Sequence, residues 1–304
     1  MTDTCADEIE FKREGSLLKG YFKAMACPCV IMLEHEDLSK SPQFFENEIR
    51  LMADEVWRIE RKYSRYSNTS TLSEINNSAG VDVLIDSETY QLLHVADVLW
   101  EESEGMFDIS SGVFRKIWSF KNQEDIPSPQ AIKEVLSFVG WQKIKFDQNK
   151  VCLGKGMQID FGGIGKEYAA DRCSAAADPI IGNSILVNLG GDVVAKGPRI
   201  SGDPWGVVIE SKEASGHAWK MVPLFDGAIA TSGDIYKHIF YDGKRYSHII
   251  NALTGYPSLN SPNSITIAAP NCTEAGMLST VAMLKGNNAE EFLQEHGRPY
   301  WIQK

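Results

Sequence analysis

Between Met157 and Tyr168 the chain reads Met-Gln-Ile-Asp-Phe-Gly-Gly-Ile-Gly-Lys-Glu-Tyr, a short apolar run leading through paired glycines into the start of an amphipathic helix. A turn of this kind can hold a phosphate. Gly162 and Gly163 let backbone N–H groups approach an anion closely, and the first helical turn offers unpaired donors at the positive end of the helix dipole. Lys166 adds a mobile positive charge beside them. The segment is not a Walker A loop, which requires Ser or Thr after Gly-Lys, and its glycine spacing is not that of a Rossmann turn. Taken alone, the same residues also describe a tight strand-to-helix connection, because glycine punctuates loops generally.

A second chemical candidate is Cys27-Pro-Cys29. In a strand, residues i and i+2 point the same way, so the two thiols would be neighbours. With no further Cys or His nearby the pair is a poor zinc site, and core packing is the reading preferred over metal or redox chemistry. The other cysteines, Cys5, Cys152, Cys173 and Cys272, are scattered without CxxC spacing.

The elements that position these residues can be read from periodicity. Leu18 to Glu34 is apolar and β-prone, and Phe44, Phe45, Ile49, Met52, Val56, Ile59 and Tyr63 recur at helical spacing. Ser64 to Asn76 reads as a polar loop ending in a short turn; Ser87 opens a helix with a cap at its head, and Ser128-Pro129 opens another that runs to Gly140. From Trp141 the texture changes to short strands at 143–146, 151–153, 157–160, 184–189, 205–210, 220–224 and 228–231. Two further strands, 235–241 and 244–251, flank Asp242-Gly243, a strong hairpin signal. A strand over 264–269 and a helix over 273–284 follow. The expectation is an α+β fold with a large, mostly antiparallel sheet and helices packed on it, spanning 1–304 as one domain of two intimately packed halves.

With 304 residues and 43% hydrophobic content the chain can bury a full core. Its 41 acidic residues against 30 basic give a net charge of −11, which disfavours nucleic acid and anionic membranes as partners. The acidic N-terminus lacks the apolar core of a signal peptide, and no run of eighteen apolar residues occurs, so no membrane insertion and a cytoplasmic location are expected.

Several segments together resemble one family, the ApbE-type FAD:protein FMN transferases. They are Met25-Ala26; Arg65-Tyr-Ser67 with Ser73-Glu-Ile-Asn76; Gly105-Met-Phe-Asp108 continuing to Gly112 and Trp118; Ile159 to Lys166; Val187-Asn-Leu-Gly-Gly-Asp192; Ala230-Thr-Ser-Gly-Asp234; and Arg245-Tyr-Ser-His248 with Thr254-Gly-Tyr-Pro257. They occur in family order and cover nearly the whole chain. The resemblance implies a duplicated, T-fold-type arrangement with a flavin cleft between its halves. It implies an enzyme that cleaves FAD and joins FMN through its phosphate to a Thr or Ser of an acceptor protein, releasing AMP, and that works as a monomer or homodimer. By the same resemblance Met25, Tyr66, Met106, Phe107, Asp108, Asp160, Gly162 and Lys166 touch FAD, and Gly163 offers a carbonyl to magnesium. Tyr66 can stack on a planar ring, the aspartates can accept hydrogen bonds, and Lys166 can balance pyrophosphate charge. Met25 and Phe107 can equally be core residues, and Asp108 and Asp160 can equally cap the segments that follow them. His248 is the residue chosen as proton acceptor for the attacking hydroxyl, since of the six histidines it alone lies in one of these motifs; a structural histidine is the competing reading.

One departure matters. Where the family helix carries an Asp four residues before a Thr, both gripping the metal, this chain has Gly276 before Thr280, with Ser279 beside it. Hydroxyls alone hold Mg²⁺ weakly. Glu274 lies about 200° round the helix from position 276, which leaves Asp192 or Asp234 as possible substitutes. On this reading Gly276→Asp should create or strengthen Mg²⁺ binding. The departure also opens alternatives: a protein that binds FAD without transferring it, a weak FAD hydrolase, or a small-molecule enzyme of similar fold with no flavin.

Overall fold

In the computed structural model, residues 8–35, 41–120, 126–179, 182, 184–211, 217–234 and 237–304 are described. The acidic N-terminal stretch with Cys5, and the expected strand start at Ile235, lie outside them. In chain order come strands β1 (Glu10–Glu14), β2 (Leu17–Ala24) and β3 (Cys27–Glu34), helices α1 (Pro42–Tyr63) and α2 (Thr71–Asn77), strand β4 (Val83–Leu84) and helix α3 (Ser87–Glu102). A 3-10 segment over Ile109–Lys116 precedes helix α4 (Pro129–Leu136), strands β5 (Lys145–Phe146) and β6 (Lys150–Cys152), and helix α5 (Gly165–Ala175). Then follow β7 (Ile185–Leu189), β8 (Asp192–Lys196), β9 (Trp205–Glu210), β10 (Ala218–Leu224), β11 (Gly227–Gly233), β12 (His238–Tyr241), β13 (Lys244–Ser247) and β14 (Ser264–Ala269). Helices α6 (Cys272–Lys285) and α7 (Ala289–His296) and strand β15 (Tyr300–Gln303) complete the order. The α+β class with a large antiparallel sheet and packed helices is the one expected.

The chain divides into two compact units. The first comprises Met1–Arg61, Gly165–Thr231 and Thr266–Gly276. Its sheet runs β1-β2-β3-β7-β8-β11-β14, antiparallel from β1 through β11. Helix α1 lays Ile49, Met52, Ala53 and Val56, all fully buried, against this sheet. At Gly20 a Cβ would stand 2.5 Å from Ile49 Cγ2, so glycine there lets helix and strand close together. Helix α5 packs on β7 and β8 through buried Ala169, Ala170 and Cys173.

The second unit comprises Lys62–Ile164, Ser232–Ile265 and Met277–Lys304. It holds the small β4-β6-β5 sheet, the β12–β13 hairpin and a core around Val113, Phe114, Trp118, Ile132, Tyr246 and Ala252. Asp242 (φ 47°) and Gly243 (φ 68°) make the hairpin turn anticipated from their sequence.

Three local readings change, and one gains a cap. The polar stretch after Ser64 contains helix α2, because Ser70 Oγ caps it at Ser73 N (3.0 Å) while Leu72 and Ile75 are fully buried. Helix α3 starts at Ser87 as expected, and its cap is Asp86, whose carboxylate accepts from Thr89 N at 3.0 Å. Residues 157–160 are extended but join no sheet. Asn76 clamps them instead: its Nδ2 donates to Ile159 O (2.9 Å) and its Oδ1 accepts from Ile159 N (2.7 Å). Strand β13 ends at Ser247, so His248 stands just past the strand rather than within it.

Candidate active site

The first unit gathers one group of candidates around the N-terminal turn of α5. Lys166 Nζ lies 2.7 Å from Asp192 Oδ2, and the Asp192 side chain is only 1% exposed. Burial works against the ammonium, but Asp192 first and then Glu167 hold it charged and raise its pKa. Asp192 is placed by the Gly190-Gly191 turn between β7 and β8, where both glycines have positive φ (61° and 101°). A Cβ at Gly190 would meet Cys27 Sγ at 2.8 Å, so glycine there lets the turn close against Cys27, with Lys166 nearby. Cys27 and Cys29 sit with their sulfurs 3.8 Å apart, both as free thiols. Hydrogen bonding to Cys29 lowers the Cys27 pKa and outweighs the opposing effect of burial.

Met25 occupies the tip of the β2–β3 hairpin with φ 51°, followed by Ala26 at φ 60°. Its N–H donates to Glu60 Oε1 at 2.8 Å, which holds two non-glycine residues in left-handed backbone. Lys166 and Met25 thus lie in one unit, the first held by Asp192 and the second by Glu60.

Position 276 is not open space. A Cβ there would lie 2.4 Å from Glu167 Cγ and 2.9 Å from both its Cδ and Oε1. The Glu167 carboxylate therefore fills the volume that a side chain on α6 would take. Glu167 is 8% exposed, and its Oε2 finds no hydrogen-bond partner among the described residues. Burial first, then Asp192, pushes its pKa up to about 7. A side chain added at 276, as in Gly276→Asp, would therefore require Glu167 to move. Asp192 is committed to Lys166, and Asp234 to Arg245 at 3.3 Å.

The second unit brings together another group. Asp160 pairs with Arg65 and accepts from Gly162 N at 2.9 Å, closing a small turn just before the paired glycines. Arg65 in turn lies over the Tyr66 ring, 5.0 Å from its centroid, and donates to its hydroxyl at 2.9 Å. Tyr66 is 79% exposed, so its face is available for stacking. Phe107 lies against Gly163, where a Cβ would come within 2.8 Å of the ring; glycine there is a packing requirement as well as a backbone one. Neighbouring Met106 accepts from Ala252 N through its carbonyl at 2.9 Å. Asp160, Gly162 and Tyr66 thus share one local cluster, with Arg65 as the connecting residue.

Asp108 stands apart from them. It is 4% exposed and its two carboxylate oxygens accept from Ser110 N (2.8 Å) and Trp141 N (2.7 Å). It caps the 3-10 segment, the structural alternative kept open for it. Ser279 and Thr280 are buried, and Ser232 Oγ lies 2.8 Å from each hydroxyl. His248 Nδ1 is 3.2 Å from Lys237 O, and because a carbonyl only accepts, Nδ1 carries the proton and Nε2 is the basic nitrogen. Phe120 meets its ring edge-on at 6.3 Å.

The residues given no role from sequence are Arg65, Asn76 and Glu167, and Asp192, weighed there only for a metal, instead holds Lys166. Arg65 and Asn76 sit inside quoted motifs, and Glu167 follows Lys166 directly. No local signal in the sequence marks Glu167 as buried.

No helix among the described residues is long and apolar enough to cross a membrane. The ApbE family model matches residues 25–301. A FAD:protein FMN transferase of Haemophilus influenzae is 30% identical over 242 residues, covering 76% of this chain and 70% of that protein. One of Treponema pallidum is 30% identical over 264 residues, covering 79% and 72%. The crystal structure of the ApbE protein of Thermotoga maritima superposes with TM-score 0.81 at 28% identity, covering 97% of this chain and 94% of that one. The chain belongs to the ApbE family.

Proposed function

We propose that this protein is a FAD:protein FMN transferase, cleaving FAD and joining FMN by a phosphoester to a Thr or Ser of an acceptor protein with release of AMP. The observation that carries the reading is the family match over residues 25–301 together with relatives bearing that name. The local geometry agrees with it: glycines at 162 and 163, a helix starting at Gly165, and a charged lysine one residue later suit a diphosphate.

In the proposed reaction the acceptor hydroxyl oxygen forms a bond to the FMN-side phosphorus. The bond from that phosphorus to the bridging oxygen breaks, and AMP leaves with that oxygen. His248 Nε2 takes the hydroxyl proton. Lys166 balances charge on the phosphoryl oxygens, aided by the first N–H groups of α5. Tyr66, Met25, Met106 and Phe107 contact the nucleotide's planar parts. Arg65 and Gly162 hold the Asp160 carboxylate as an acceptor at its edge. Asp108 supports the segment that presents Phe107.

Magnesium is the companion ion that the family resemblance implies. Its donors by that resemblance are neutral oxygens, the Gly163 carbonyl and the Ser279 and Thr280 hydroxyls, and among the described residues no cluster of three His, Cys, Asp or Glu side chains forms. Bound there, the ion would withdraw charge from the pyrophosphate. We place the protein in the cytoplasm, where reducing conditions suit its free described thiols, as a monomer or homodimer.

The test is incubation with FAD, Mg²⁺ and a threonine-bearing acceptor protein, following AMP release and flavin fluorescence that survives denaturation. Both should appear with wild type and be lost with His248→Ala, which should still bind FAD. Wild type that binds FAD yet returns it intact would overturn the assignment.

A further inference from the structure

We propose that Cys27 and Cys29 form a reversible redox pair, in which Cys27 attacks a hydroperoxide and Cys29 closes a disulfide onto it. Every residue that carries the inference lies in the first unit. The two sulfurs stand 3.8 Å apart as free thiols, on successive same-face positions of β3. A disulfide holds its sulfurs about 2 Å apart, so the pair is already in contact and has only a short way to close. Two residues apart in an extended strand, Cα atoms are separated by roughly 6.6–6.8 Å, the wide end of the range a bridge spans. Such a bridge is strained and readily reduced, which suits a switch rather than a permanent staple. The chain can adjust here because Cys27 opens β3 directly after the Met25-Ala26 tip of the hairpin.

The two thiols are not equivalent. Cys27 is half-buried and Cys29 is 4% exposed, so a small oxidant reaches Cys27 first. Hydrogen bonding to Cys29, helped by the nearby Lys166 ammonium, favours the nucleophilic thiolate at Cys27 against burial, whereas the same hydrogen bond and burial keep Cys29 protonated. The Cys27 thiolate attacks one oxygen of hydrogen peroxide and the O–O bond breaks, giving a sulfenic acid and a hydroxide that takes up the proton the thiol released. The Cys29 sulfur then attacks the Cys27 sulfur, the S–S bond forms, and the S–O bond breaks as the hydroxyl leaves as water with the Cys29 proton. In sum two thiols lose two electrons and two protons, and the peroxide is reduced to two waters. The bridge reaches the lysine site through the backbone. Gly190 N donates to Pro28 O, between the two cysteines, at 3.0 Å, and the Cys27 sulfur packs against the same turn. Closing the bridge therefore shifts the turn that presents Asp192 to Lys166, and on the transfer reading above it weakens the hold of Lys166 on FAD.

The experiment exposes the reduced full-length protein to equimolar hydrogen peroxide, labels the remaining thiols with iodoacetamide after denaturation, and maps the tryptic peptides by mass spectrometry. Cys27 and Cys29 should lose their labels together, on a peptide lighter by two hydrogens, well before Cys152, which is similarly half-buried and serves as the comparison. Dithiothreitol should restore both labels, and in Cys27→Ser the label on Cys29 should persist. Should that variant fail to fold, the wild-type map decides alone. Loss at Cys152 as fast as at the pair, a sulfinic acid at Cys27 without a bridge, or a bridge from Cys27 to any other cysteine would each overturn the proposal. A parallel titration with FAD, followed by flavin fluorescence, should show weaker binding by the oxidised protein and recovery with dithiothreitol. A bridge that leaves FAD affinity unchanged overturns the coupling to Lys166, whereas reduced protein that binds no FAD sinks the transfer reading and leaves the redox pair standing.

Discussion

Replacing Gly276 by alanine should have opposite effects on stability depending on residue 167. In an unobstructed helix interior, Gly→Ala gains roughly 1 kcal/mol. Here the added methyl would sit 2.4 Å from Glu167 Cγ, an atom near the backbone of a buried side chain that has little room to retreat. Overpacking of this kind costs about 1–3 kcal/mol. Gly276→Ala should therefore leave wild type unchanged or weaken it by up to about 2 kcal/mol, the overpacking cost less the helix gain. In a Glu167→Ala background the obstruction is gone, and the same change should stabilise by about 1 kcal/mol. The coupling in the double-mutant cycle is then about 1–3 kcal/mol, equal to the overpacking term alone. Urea unfolding followed by circular dichroism, without metal or nucleotide, measures it. Equal stabilisation by Gly276→Ala in both backgrounds would refute the reasoning, because Glu167 could not then fill that volume.

Other outcomes follow from the geometry. Asn76→Ala removes both hydrogen bonds to Ile159 and should cost about 1–3 kcal/mol in urea unfolding, with weaker FAD binding by fluorescence titration; unaltered stability would dismiss the clamp. Lys62, within 2.5 Å of Asp86, overcomes the effect of burial and lowers the Asp86 pKa to about 2. A carboxylate lowered by folding contributes stability above its ordinary pKa and loses it as pH falls toward the folded value. Asp86→Asn keeps a capping oxygen, so it should be less stable than wild type by under about 1 kcal/mol at pH 7, given the partial exposure of the pair. Thermal unfolding should show that gap closing between pH 4 and pH 2, and a gap independent of pH would contradict the assignment. Gly163→Ala should lower the melting temperature by forcing Phe107 aside, and Phe107→Ala should relieve it.

Legibility from sequence divided along physical lines. Helix α1 was readable because its apolar residues repeat at helical spacing over many turns, and the Asp242-Gly243 hairpin because left-handed turn residues are locally encoded. Residues 157–160 read as a strand because an apolar extended run looks the same whether its backbone is satisfied by a sheet or by one asparagine. Helix α2 was hidden under a polar composition, its few buried residues too short a pattern to register. The family was legible from its motifs, yet the relation of Glu167 to Gly276 was not: it joins two helices far apart in the chain, and neither residue alone breaks a local rule. Asp108 shows the converse, a motif carboxylate whose oxygens the surrounding backbone already occupies.

The clamp of Asn76 on Ile159 also bears on how a ligand would arrive. With Asp160 N donating to Ile109 O at 2.9 Å and both polar groups of Ile159 taken by one side chain, the approach to the glycine turn is shaped during folding. An incoming diphosphate would meet a receptor whose ordering entropy has already been spent, so its capture should be fast and should require little rearrangement of this loop.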